Sequence, residues 1–270
     1  ISVYGNINTL NQPMVAIVGA RNASLGGRQL SFSMACDLGN AGWKIVSGLA
    51  RGIDERAHQG SLTTGTIAVL AGGIDCIYPP EHHDLYREIA KKGAVISEMP
   101  LGTSPMAGLF PRRNRLIAGL SQGVVVIEAA NKSGSLITAE YALDQGKDVF
   151  SVPGSPLDPR CLGSNKLLKQ GAVVTESAQD ILAVIGICQP FLKQENHETE
   201  ISRNYLQNFK NPSNLKESLL KDLSLIPTDF ENLLPCYNDT ASVLLGVLCE
   251  LELEGLVQHY AGNKFSLKPV

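Results

Sequence analysis

The sequence predicts an α/β protein with a doubly wound parallel sheet, followed by a small C-terminal winged-helix-like domain. Three observations support this fold class. Short runs rich in Val and Ile alternate with amphipathic stretches from residue 15 to about residue 185. Most of these runs lack polar alternates, as strands buried on both faces do. A polar segment then separates them from a second, shorter set of elements.

Seven strands are predicted, and the segments between them are long enough for one helix each. Strands that alternate with helices are joined by right-handed crossovers, which gives a parallel sheet with helices on both faces. The predicted strands are Val15–Gly19, Trp43–Ser47, Thr66–Leu70, Ala94–Ser97, Val124–Ile127, Val149–Val152 and Ala172–Thr175.

The segment 188–216 is rich in Asn, Gln and Glu and has little aliphatic periodicity, so we predict a linker there. It divides the chain into a sheet domain at 1–187 and a smaller domain at 217–270.

The smaller domain is predicted to contain three helices and a hairpin. Ser218–Leu223 is a short helix, and Thr228 has the capping-box spacing to Glu231 for a second. Asp239 is placed to cap a longer helix that runs through Leu251. The hairpin turns at Gly262–Asn263.

Composition excludes several classes of protein. With 44% hydrophobic and 18% charged residues among 270, the chain is globular and needs no disulfide or metal to hold its core. None of its six cysteines forms a C-x-x-C pair, which disfavours zinc ribbons and thioredoxins. No apolar run reaches the length of a membrane span and no signal peptide opens the chain, so we expect a cytoplasmic protein without a membrane partner.

Charge is distributed unevenly. The net charge of −3 excludes a broadly basic nucleic-acid-binding coat but not a local basic stripe. Residues 1–187 carry 16 Lys and Arg against 15 acids, whereas residues 218–270 carry three Lys against seven acids. A helix that enters a DNA groove needs a positive charge, whereas the small domain is negatively charged, so we expect this domain to contact protein.

The loops after the predicted strands point to a phosphate-binding edge. Ligands of open parallel sheets bind outside the carboxyl ends of the strands. Glycines let the backbone approach an anion closely, and helix starts attract negative charge. The loops combine glycine, hydroxyl groups and cations. Five of them follow strands, namely Gly19–Ser24, Ser47–Asp54, Ala71–Asp75, Asn131–Thr138 and Pro153–Ser155, and a sixth, Phe110–Arg115, precedes the fifth strand.

Motifs for dinucleotide binding, Walker-type ATPases and serine hydrolases are missing. His58 follows Asp54 by four residues; an acid–base pair is possible in principle, but a core histidine is favoured. A metal site at His82–His83 is disfavoured because Cys76 and Asp84 have poor geometry as further ligands. Glu98 and Glu128 end buried strands, and orienting the arginine loops is favoured for them over catalysis.

Taken together, four motifs closely resemble the DNA processing protein A family over about residues 13–185. They are Ser47–Asp54 with Ala57–His58, Phe110–Arg115, Ser133–Ala139 and Val152–Gly154. The resemblance implies a Rossmann-like domain and a bacterial cytosolic protein of competence. It would bind single-stranded DNA, protect incoming strands and load RecA during natural transformation. It also implies a homodimer formed through the Rossmann-like domain, without catalysis, cofactor or metal.

The resemblance also assigns the site. Arg51 and Lys132 fall where the family contacts DNA phosphates, and Arg112 and Arg113 fall in its basic segment. The other residues lie on loops that line the same pocket, and they are Ser47, Gly48, Ser133, Gly134 and Ser135.

We expect binding through phosphates, without chemistry. About four phosphates on a single strand predict a salt slope near −3. Base stacking is expected to be secondary, because Phe110 is the only aromatic residue within these loops.

Two other hypotheses remain. The chain more distantly resembles nucleoside monophosphate phosphoribohydrolases, for which Glu140 would be the catalytic candidate, although their Gly-Gly-x-Gly-Thr motif is missing. A pure scaffold is the third hypothesis, and it leaves Arg51, Arg112, Arg113 and Lys132 unexplained.

Overall fold

The computed structural model describes residues 1–186, 215–237 and 239–268. The chain divides into two compact units, one holding nearly all of residues 1–186 and the other holding residues 215–268. Residues 188–214 of the predicted linker lie outside the described residues. A helix begins at Leu215, so the last two residues of that predicted linker are helical.

An eight-stranded sheet forms the centre of the N-terminal unit. Its strands are β1 (Ser2–Gly5), β2 (Met14–Gly19), β3 (Lys44–Ser47), β4 (Thr66–Gly73), β5 (Ala94–Met99), β6 (Gly123–Ile127), β7 (Asp148–Ser151) and β8 (Val173–Val174). The strand order is β1-β5-β4-β3-β2-β6-β7-β8. Strands β2 to β8 pair in parallel, whereas β1 pairs antiparallel with β5. All seven predicted strands and the fold class are confirmed.

Seven helices connect or flank these strands. They are α1 (Leu25–Asn40), α2 (Ile53–Ser61), α3 (His83–Lys92), α4 (Leu109–Leu120), α5 (Gly134–Asp144), α6 (Leu162–Lys169) and α7 (Ala178–Ile185).

Hydrophobic cores cover both faces of the sheet. In β6, Val124 and Val126 pack into one core, and Val125 and Ile127 pack into the other. All four side chains are fully buried. Each buried aliphatic side chain of this size contributes about 1.5–3 kcal/mol, which explains why the strand has no polar alternate.

The order of the strands reverses between β2 and β6. Along the chain, β3, β4 and β5 are added on one side of β2, and β7 and β8 are added beyond β6. The loops that follow β2 and β6 therefore diverge and leave a crevice at the carboxyl edge of the sheet, where α/β proteins bind ligands.

Among its described residues, the C-terminal unit has three α-helices and a three-stranded antiparallel sheet in the order β10-β11-β9. Its core includes Leu219, Phe230, Leu244, Leu248 and Phe265. The predicted hairpin is present, and Gly262 and Asn263 adopt positive φ angles of 84° and 55° in its turn. The elements are α8 (Leu215–Asp222), β9 (Thr228–Asp229), α9 (Phe230–Leu233), α10 (Ala241–Leu253), β10 (Val257–Tyr260) and β11 (Lys264–Leu267).

Both predicted helix caps in this unit were wrong by one residue. Thr228 pairs with Phe265 in the sheet, so the N-cap of α9 is Asp229. The N-cap of α10 is Thr240 instead of Asp239. Neither N-cap side chain makes a capping hydrogen bond.

Candidate nucleic-acid interface

A cleft of about 860 Å³ opens at the carboxyl edge of the sheet, where the strand order reverses. Loops that follow β2, β3 and β6 form its walls together with the first turns of α4 and α5. Residues that line the cleft include Arg21, Asp54, Phe110, Arg113, Asn114, Lys132 and Ser135.

Asp54 holds the loop after β3. Its Oδ2 accepts hydrogen bonds from the backbone amides of Gly48 at 3.1 Å and Ala50 at 3.4 Å. Ser47 is fully buried, and its hydroxyl donates to the carbonyl of Ile17 at 2.6 Å. Ser47 and Gly48 thus lie at the site, but their hydrogen bonds are made within the protein. These bonds stabilise the loop after β3, on which Arg51 is exposed.

Arg113, which is predicted to contact DNA, is buried. Its guanidinium donates to the carbonyl of Gly48 at 2.7 Å, to the carbonyl of Val69, and to Oδ1 of Asn114 at 3.2 Å. Burial lowers the pKa of Arg113 to about 10, although the carboxylate of Asp54 opposes that shift. Arg113 therefore stays charged at neutral pH and fixes the loop that carries Arg51.

The three predicted site cations that are exposed lie on different segments. Arg51 is exposed and forms an ion pair with Glu81, whose hydrogen bond raises the pKa of Arg51. Lys132 is exposed and lines the cleft, whereas Arg112 is exposed on α4 and is not among the cleft-lining residues. Surface ion pairs contribute only about 0–1 kcal/mol, so a phosphate could compete with Glu81 for Arg51.

Helix α5 begins at the cleft. Ser133 is its N-cap; the Ser133 hydroxyl accepts from the amide of Ser135 at 3.3 Å and contacts the Ser135 hydroxyl at 2.7 Å. Gly134 is exposed, and a side chain there would meet nothing within 4 Å. The helix start thus presents backbone N–H groups beside Lys132, an arrangement that attracts anions.

Two residues of this site were not among the predicted site residues. Arg21 lies in the loop after β2, and its Cζ is 5.0 Å from the ring centroid of Phe110. Sequence analysis identified that loop, Gly19–Ser24, as part of the phosphate-binding edge but did not assign Arg21 itself. Tyr78 lies between β4 and α3, and its ring meets the Phe110 ring edge-on at 5.8 Å. No pattern near Tyr78 in the sequence indicates this contact.

Two of the titratable groups that the motifs left open, His58 and Glu98, have structural partners. His58 is fully buried, its Nδ1 lies 2.8 Å from the Thr66 hydroxyl, and burial lowers its pKa to about 3, which confirms a core histidine. Glu98 forms an ion pair with Arg115, which confirms its orienting role. Glu140 is exposed on α5 and is not among the residues that line the cleft, which counts against a catalytic role there.

His82 supports the loop after β3 from the other side. It is buried, with Nδ1 3.0 Å from the carbonyl of Leu49 and Nε2 3.3 Å from Glu55. Burial alone would lower the pKa of His82, but Glu55 and the Leu49 carbonyl raise it overall.

Within the described ranges, no group of three or more His, Cys, Asp or Glu side chains is placed to hold a metal ion. No described helix is both long and apolar enough to cross a membrane.

Comparison with known proteins gives consistent results. A family model described as DNA recombination-mediator protein A matches residues 1–186. DNA processing protein DprA of Bacillus subtilis is 47% identical over 169 residues, which cover 62% of this chain and 57% of that protein. Protein Smf of Escherichia coli is 43% identical over 183 residues, which cover 67% of this chain and 49% of that protein. The chain thus spans about half the length of these curated relatives.

Two of the solved structures that resemble this chain are of DprA proteins. DprA of Streptococcus pneumoniae has a TM-score of 0.65 at 43% identity, with 67% of this chain and 65% of that chain covered. DprA of Helicobacter pylori, whose structure describes a single-stranded DNA binding mode, has a TM-score of 0.64 at 33% identity, with 68% and 85% covered. The chain therefore belongs to the DNA recombination-mediator protein A family, whose curated members are named DprA and Smf.

Proposed function

We propose that this chain binds single-stranded DNA along the carboxyl edge of its N-terminal sheet and catalyses no reaction. The observation that carries the proposal is the pairing of exposed cations with an open helix start. Arg51 and Lys132 project from separate loops at one edge, and Gly134 leaves the first turn of α5 accessible. The similarity to the Helicobacter pylori protein supports the same ligand.

The phosphates of the strand would lie against these groups. Arg51 and Lys132 supply charge, and the amides at the start of α5 supply hydrogen bonds. A flexible single strand can follow the irregular edge, whereas a duplex has a stiffer backbone. We therefore expect single strands to outcompete duplex of the same length.

The cellular role extends this proposal. The protein would protect incoming strands in the cytoplasm and load RecA on them during natural transformation. A homodimer formed through the Rossmann-like domain would link two sites and raise the affinity for one strand. Arg112 lies beside the cleft and would add a further phosphate contact in such an assembly.

Fluorescence anisotropy of a labelled oligothymidine across a salt series tests the binding. We expect a slope near −3 for about four phosphates, and a slope smaller by about 0.7 for each of Arg51→Ala and Lys132→Ala. Lys169→Ala is the matched control, because Lys169 is exposed at the end of α6, which leads back to the start of β8. Wild type that fails to bind at low salt, or a control variant that weakens binding as much as the other two, would contradict the proposal.

A further inference from the structure

We propose that a nucleobase of the bound strand stacks on Tyr78, beside the phosphate that Arg51 holds. This inference rests on the proposed function and adds a contact that the phosphate interactions do not include. The aromatic cluster (Tyr78, Phe110 and Arg21) carries the argument.

The geometry of the cluster leaves one ring accessible. Tyr78 is 42% exposed, and it rests on Phe110 at 5.8 Å with an interplanar angle of 62°. Arg21 is also exposed, and its guanidinium lies over the Phe110 ring at 5.0 Å. Phe110 thus holds a tyrosine ring and a guanidinium at the mouth of the cleft.

The cluster adjoins the phosphate-binding loop. Arg21, Arg51, Tyr78 and Phe110 line one small recess together with Gly48. Arg21, Tyr78 and Phe110 also line the main cleft. A nucleotide whose phosphate meets Arg51 would therefore have its base within reach of Tyr78.

The chemistry of the cluster favours a base. Single-stranded nucleic acids stack their bases on aromatic rings and on guanidinium planes, and every base has a π-face that allows this. Tyr86 provides a contrast within the same chain, because it is only 7% exposed and its hydroxyl donates to the carbonyl of Ile74 at 2.8 Å. Tyr86 is a core residue, whereas Tyr78 presents its ring at the cleft.

Binding of two oligonucleotides of equal length tests the proposal, one oligothymidine and one made of abasic sites. Both carry the same phosphates, so only the base contacts differ. We expect wild type to prefer oligothymidine on the order of tenfold. The Tyr78→Ala variant should lose that preference and keep the salt slope of wild type, and Tyr78→Phe should retain the preference.

Tyr4→Ala is the matched control. Tyr4 is 53% exposed on β1 and also stacks on another ring, that of Tyr86 at 5.8 Å. Circular dichroism establishes that each variant is folded. A preference for oligothymidine that persists in Tyr78→Ala, or is lost equally in Tyr4→Ala, would overturn the stacking proposal. Wild type that binds both oligonucleotides equally would overturn stacking alone, whereas wild type that binds neither would overturn the proposed function as well.

Discussion

Adjacent residues in this site have opposite roles. Arg112 is exposed on α4, whereas Arg113 is buried and donates to the backbone carbonyls of Gly48, in the loop after β3, and of Val69, in β4. Burial raises the pKa of Asp54 and lowers that of Arg113, so desolvation outweighs their mutual attraction in both groups. A buried pair of this kind adds little net stability, but removal of one partner leaves an uncompensated charge. Its contribution is to fix the loop that presents Arg51.

His58 makes the stability of the N-terminal unit depend on pH. The pKa of His58 is about 3 in the folded chain and near 6.5 in an unfolded one, because burial opposes the charged form. The unfolded state therefore binds an extra proton below pH 6.5, and stability falls as pH falls through that window, by about 1.4 kcal/mol per pH unit. Urea unfolding followed by fluorescence of Trp43, the single tryptophan, measures this slope between pH 5 and 6.5.

The His58→Gln variant should lose most of that slope. His82 does not mask the effect. Its pKa is raised in the folded chain, so the stability that protonated His82 contributes is fully present below about pH 6.5 and is lost only as the pH rises above that value. Equal slopes for wild type and the variant would show that His58 is not the responsible group.

At the scale of elements, the glycine in the loop after β3 and the glycine at the start of α5 have different roles: Gly48 allows the loop to pack on Arg113, and Gly134 keeps backbone accessible to DNA. A Cβ at Gly48 would lie 2.5 Å from the guanidinium of Arg113, whereas a Cβ at Gly134 would meet nothing within 4 Å. We expect Gly48→Ala to destabilise the chain by about 1–3 kcal/mol through overpacking and to weaken DNA binding with it. Gly134→Ala should leave stability unchanged or raise it by up to about 1 kcal/mol, and should still weaken binding, because phosphate would approach that backbone closely.

Thermal unfolding and anisotropy on the same samples distinguish these outcomes. Full affinity in Gly134→Ala would place the phosphates away from the start of α5.

How far the sequence predicts the structure also differs between elements. Strands buried on both faces, such as β6, have an uninterrupted apolar signal, so they were predicted. Strand β1 was missed because its four residues lie at the sheet edge and none is buried. Exposure within the site could not be predicted, since the difference between Arg112 and Arg113 depends on the backbone carbonyls of Gly48 and Val69, which are distant in the sequence. The cluster of Tyr78 and Phe110 joins two segments that are unrelated in sequence.

At the scale of the whole molecule, the two units differ in charge. The N-terminal region has a nearly balanced charge and exposes several cations at one edge of its sheet, whereas residues 218–270 carry three Lys against seven acids. In α10 and the residue after it, Glu250, Glu252 and Glu254 are exposed, and Lys216 pairs with two of them. A surface of this sign repels a phosphate backbone, so DNA affinity should arise from the N-terminal unit alone.

Substitution of Lys221 and Lys264 in the full chain tests this division. Both side chains are exposed in the C-terminal unit, and Lys264 lies 3.4 Å from Asp229. Each cation that contacts a phosphate of a single strand contributes about 0.7 to the salt slope, so a double alanine variant would lower the slope by about 1.4 if both residues touched DNA. We expect the slope to stay at the wild-type value. A drop of that size in the anisotropy salt series would mean that the strand also runs over the C-terminal unit, and the acidic surface would then need another explanation than contact with protein.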